Sequence, residues 1–212
     1  MADQLAETVG VFKVGLQLHS AAGPEIVRQL VRDGHSVFLD LKFHDIPNTV
    51  AGAVAAATDL GVALTDLHAL GGRTMMERAV SARLPGTPTQ LLAITILTSH
   101  DQASLEAIGI TGRVSDVVVR LARLAHEASI DGVVASPQET AAIRDACGPG
   151  FLIVTPGIRP TGSARGDQAR AATPKAARQA GADYLVVGRP ITQADAPVDA
   201  AKRIVDEIAA AE

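Results

Sequence analysis

Short apolar runs rich in β-branched residues recur along the chain, separated by Ala-rich stretches of helical pattern. "VFKVGLQL" (Val11–Leu18) precedes "GPEIVRQLVRDG" (Gly23–Gly34), where Pro24 suits a first helical turn and Gly34 the position past a helix end. Further strand-like runs stand at His35–Lys42, Ala63–Leu70, Thr89–Leu97, Asp131–Ser136, Phe151–Ile158 and Ala182–Pro190. Continuous apolar runs such as "FLIV" suit strands covered on both faces, and helices between them make the sheet parallel. The pattern therefore predicts an α/β fold, a TIM-type (β/α)8 barrel, with a doubly wound open sheet as the alternative. The runs number seven, where a closed barrel of this type uses eight. The opening "MADQLAETVG" is helical in pattern with no strand before it, so the first βα unit is expected to lack its strand.

A chain of 212 residues that is 47% hydrophobic can bury a sizeable core, and one domain over residues 1–212 is expected. The net charge of -4 and a content of four Phe, one Tyr and no Trp argue against a nucleic-acid partner. Cys147 stands alone, which excludes an intramolecular disulfide and the usual cysteine metal sites. No apolar run is of bilayer length and no cleavable signal is read, so the chain is expected to be soluble and cytoplasmic, with no membrane partner.

Chemistry is expected at the C-terminal ends of the strands, and there "VFLDLKFHDIPNTV" (Val37–Val50) places three charges. Asp40 and Lys42 are two apart on one strand, so both face the same side with Phe38, while Leu39 and Leu41 take the other. Asp45 follows in a loop that "IPN" turns into the helix "TVAGAVAAATDL". Each charge alone has a structural explanation: an Asp at a strand end caps the next helix, and a half-buried Lys reaches its ammonium to water. The trio is harder to explain structurally, because charges inside a barrel are costly unless compensated.

These residues resemble the signature D-x-K-x-x-D-I-x-x-T of the orotidine 5'-monophosphate decarboxylase family, which makes UMP in pyrimidine synthesis. "FKVGLQL", "LTSHD", "GVVASPQE", "VTPGIRP", "GDQAR" and "YLVVGRPI" follow in the family's order, so the resemblance covers nearly the whole chain. It implies a TIM barrel acting as a homodimer with sites at the subunit interface, on the substrate orotidine 5'-monophosphate, without cofactor or metal. The family's Lys-Asp-Lys-Asp array would fall on Lys13, Asp40, Lys42 and Asp45, with Asp45 reaching into the partner's site. Lys42 would stabilise the carbanion left at carbon 6 and protonate it, and Asp40 would lie near the substrate carboxylate. Ile46 and Thr49 match positions that complete the neighbouring subunit's site, and Thr98 and Ser99 in "LTSHD" would meet the pyrimidine edge.

Barrels often bind phosphate in the loops after the last two strands, which here carry "PGIRP" and "VGRP". Gly157 and Gly188 offer close backbone N–H groups, Arg189 a guanidinium suited to a phosphate dianion, and Arg159 is a further candidate in the first loop. The polar stretch Arg159–Pro174 reads as a closing lid, in which Gln168 matches the family residue that reaches the phosphate. Two alternatives stand beside this reading. Magnesium-dependent sugar-phosphate decarboxylases and aldolases of the same superfamily share D-x-K-x-x-D but are expected to have an acidic metal ligand where this chain has Lys13, whose ammonium would oppose a divalent cation. An inactive, truncated barrel is the other, since no residue here takes the role of the aspartate that ends the family's first strand.

Overall fold

The structure is a computed structural model that describes residues 1–160 and 171–211. Those residues form two compact units, one of residues 1–94 and 124–132, the other of residues 95–123, 133–160 and 171–211.

In the first unit, α1 (Ala2–Leu5) leads to β1 (Phe12–Gly15), α2 (Leu16–Ala22), α3 (Glu25–Arg32), β2 (Val37–Phe43), α4 (Pro47–Asp59), β3 (Leu64–His68), α5 (Gly72–Ala82) and β4 (Gln90–Ile94). β1 to β4 pair in chain order and in parallel. Val37 and Leu39 pack with Val14 of β1, Val27 of α3 and Ala57 of α4 into a buried cluster that Leu41 and Phe43 extend. Alternate residues of β2 thus form the helix-covered face, leaving Phe38, Asp40 and Lys42 for the other.

The other unit holds α6 (Gln102–Ala107), α8 (Thr140–Cys147), β6 (Leu152–Thr155), α9 (Pro174–Gln179), β7 (Tyr184–Leu185), α10 (Arg189–Thr192) and α11 (Pro197–Ala209). α7 (Val114–Glu127) and β5 (Gly132–Val134) each run from one unit's residues into the other's. β6 and β7 pair in parallel. Similar devices fix both units at strand starts. Asp131 Oδ2 accepts from the Leu91 N–H and from Arg83, and Asp183 Oδ2 accepts from the Ile153 N–H and from Arg144, all at 2.7–2.8 Å.

Among the described residues, seven strands in chain order alternate with helices, the α/β arrangement that the sequence pattern predicts, a TIM-type barrel short of one strand. Several strands stop short of the expected runs, and in two of them the remainder of the run opens an α-helix. Leu16–Leu18 are the first turn of α2 rather than the end of a strand, because Gly15 caps the helix and the chain folds back at once. Arg189 and Pro190 likewise open α10 rather than closing β7, since Gly188 caps it and proline's fixed φ suits a first turn. Among the described residues no helix is long and apolar enough to cross a membrane.

Candidate active site

Three side chains from the ends of β1 and β2 meet. Lys13 lies beside Phe38 in the β1–β2 register and Gly15 beside Asp40, so Lys13 and Asp40 share a face. Lys13 Nζ is 3.0 Å from Asp40 Oδ2, and Lys42 Nζ is bonded to Asp40 Oδ1, which leaves the carboxylate between two ammonium groups. Gly15 provides the room, since a Cβ there would stand 2.9 Å from Lys13 Nζ.

The strand changes geometry at this point. Phe38 and Leu39 pair with Leu64 and Thr65, but the register shifts before Phe43 pairs with Leu67. Lys42 has a φ of 55°, in the left-handed region that costs a non-glycine residue about 1–2 kcal/mol. Its N–H donates to Asp66 Oδ1 of β3 at 2.7 Å. Irregularities of this kind re-aim a side chain at the end of a strand.

Asp66 was not among the residues that the motif singled out, although an Asp inside the apolar run "ALTDLHAL" is a visible signal. It is fully buried. Burial, followed by the charge and close approach of the Asp40 carboxylate, pushes its pKa well above the usual carboxylate range. Asp40 goes the other way: burial raises it, but the neighbouring Asp66 carboxyl and the charges of Lys13 and Lys42 together hold it below its usual value. His68, two residues past Asp66, is brought down to about 4 by burial and by the neighbouring His44 and Lys42, so its imidazole is neutral at pH 7. The rings of His44 and His68 are 5.2 Å apart.

Asp45 stands outside this cluster in the single chain. It is exposed, and its Oδ1 accepts from the Ile46 N–H at 2.6 Å, at the entry to α4. Ile46, 67% exposed, and Thr49, also exposed, flank it.

In the other unit, Thr98 is buried and Ser99 exposed after β4. Because β6 and β7 are adjacent and parallel, the loops bearing Gly157 and Gly188–Arg189 leave the sheet side by side. Gly157 has a φ of 77°, which a side chain would strain. Arg189 is exposed at the start of α10, and Arg159 donates to the Ile158 carbonyl at 2.8 Å. The ends of the expected lid meet where Ile158 bridges Ala172 and the Arg159 N–H donates to the Ala172 carbonyl. Gln168 and the middle of that stretch lie outside the described residues.

Comparison with known proteins gives one consistent result. Residues 1–204 match the orotidine 5'-phosphate decarboxylase / HUMPS family. The chain is 55% identical to the orotidine 5'-phosphate decarboxylase of Geobacter sp. (strain M21), over 99% of this chain and 89% of the relative. Identity to the protein of the same name from Trichlorobacter lovleyi is 56%, over 99% of this chain and 88% of the other. Among solved structures, the orotidine 5'-phosphate decarboxylase of Lactobacillus acidophilus is similar with a TM-score of 0.82 and 36% identity, covering 97% of this chain and 92% of that one. The corresponding protein from Pyrococcus horikoshii gives 0.79 and 29%, covering 98% and 91%.

Proposed function

The chain belongs to the orotidine 5'-phosphate decarboxylase / HUMPS family, and from that premise we propose that it is a carboxy-lyase converting orotidine 5'-monophosphate to UMP in pyrimidine biosynthesis. The observation that carries the reading is the Asp40 carboxylate held between the Lys13 and Lys42 ammonium groups at the strand ends. The bond from carbon 6 to the substrate carboxylate breaks heterolytically, carbon dioxide leaves, and the electron pair stays on carbon 6. A cation beside that carbon gains most in stabilising power as the charge localises, so it lowers the barrier more than it tightens substrate binding. Lys42 fills that role and gives a proton to carbon 6, and its amine takes one back from water.

Asp40 faces the substrate carboxylate and holds both ammonium groups in place. In this proposal the protein is a cytoplasmic homodimer. Asp45, Ile46 and Thr49 act in the partner's site, and their exposure in the single chain leaves them free to do so. Thr98 and Ser99 serve the pyrimidine, while Gly157, Arg159, Gln168, Gly188 and Arg189 serve the phosphate. The reaction uses neither cofactor nor metal. Lys13 supports this, because its ammonium, 3.0 Å from Asp40, stands where the metal-dependent relatives are expected to have an acidic ligand and would repel a divalent cation.

An ultraviolet assay with orotidine 5'-monophosphate on purified protein, with and without chelator, tests the proposal. Turnover that survives exhaustive chelation is the expected result. Loss of turnover with recovery on adding magnesium would favour the metal-dependent branch of the superfamily, and no turnover under either condition would remove the proposal.

A further inference from the structure

Asp66 has one oxygen explained and one not. Oδ1 accepts the Lys42 N–H at 2.7 Å, whereas Oδ2 is buried and no donor among the described residues reaches it. What lies next to it is another carboxylate. The β2–β3 register pairs Phe38 with Leu64 and Leu39 with Thr65 and then shifts, and just past the last of these pairs the Asp40 and Asp66 carboxyls lie close enough to interact directly. Two ionised carboxylates so placed, one fully buried, would repel, and neither could donate to the other.

We propose that Asp66 carries a proton on Oδ2 and donates it to the Asp40 carboxylate, while its Oδ1 holds the Lys42 backbone in the left-handed conformation. It is a positioning residue that fixes both halves of the Asp40–Lys42 pair from one neutral side chain. The groups facing it are consistent with this protonation state. β2 presents Asp40, already bonded to the ammonium groups of Lys13 and Lys42, so a second negative charge finds no cation of its own. β3 adds His68 and the loop after β2 adds His44, and β4, on the far side, offers "QLLAI" without an ionisable group. The direction of the Asp66 pKa agrees.

The direct test is an infrared difference spectrum at pH 7 between the wild-type protein and Asp66→Asn. A carbonyl band of a protonated carboxylic acid, present only in the wild type, is expected; its absence overturns the proposal. This arm uses no substrate and stands whether or not the protein decarboxylates orotidine 5'-monophosphate. The kinetic arm rests on the proposed function. Asn keeps both a donor for Asp40 and an acceptor for Lys42, so Asp66→Asn should retain kcat to within about threefold with an unchanged pH profile, whereas Asp66→Leu should lose about 100-fold in kcat with a smaller change in KM. Equal losses in both variants, or a pH profile altered by Asn, would show that a negative charge at Asp66 is needed and would overturn the assignment. Should Asp66→Leu fail to fold, the spectrum and the Asn variant still decide it.

Discussion

His68 is half-buried and its ring stacks at 5.2 Å on that of His44, close to the Lys42 charge. In the folded chain it binds a proton only near pH 4, whereas in the unfolded chain it does so at about 6.5. Because the depressed value belongs to the folded state, the associated stability is present in full above about 6.5 and is lost as pH falls from there towards 4. His68→Gln has no proton to take up, so it should flatten the fall in Tm across that window while leaving the neutral-pH slope unchanged. Parallel Tm curves for the two proteins would show that His68 titrates normally. Lys42 makes the companion point about backbone. Its φ of 55° is tolerated because Asp66 accepts its N–H, a constraint that comes from the next strand and not from the local sequence.

At the scale of elements, β1 ends in a residue with no side chain because the neighbouring ammonium needs the space. Gly15→Ala would place a Cβ 2.9 Å from Lys13 Nζ, the mobile end of a flexible chain, so the lysine moves and the backbone does not. Thermal unfolding should change by less than about 1 kcal/mol while kcat falls; a large loss of stability with intact kcat would mean that the backbone, not the ammonium, meets the new methyl. The same stretch shows what was legible in the sequence. The alternation of β2, which puts Asp40 and Lys42 on one face, follows from a period of two and is readable directly in the sequence. The end of β1 was not, because "LQL" has the same apolar pattern in a strand as in a helix that leaves Leu16 and Leu18 exposed. The role of Asp66 is not legible in the sequence because it depends on which β2 residue lies beside it, and register is a tertiary fact.

For the whole molecule, the proposal requires two copies, since Asp45 turns its carboxylate to the Ile46 N–H and lies apart from the cluster of its own chain. Lys42→Ala and Asp45→Asn subunits, each inactive alone, should complement when mixed. A heterodimer has one site with intact Lys42 and a partner's intact Asp45, so a random equal mixture should recover about a quarter of wild-type turnover. No recovery, with heterodimers shown to form, would place Asp45 in its own chain's site. The central claim is narrower than dimerisation: the Lys42 ammonium acts on charge that exists only at the transition state. It is tested most directly by comparing, for Lys42→Ala and the wild type, the single-turnover rate of orotidine 5'-monophosphate decarboxylation with the affinity for UMP. The account predicts a rate at least about 1000-fold lower and a UMP Kd changed by less than about tenfold. Comparable losses in rate and in UMP affinity would contradict it.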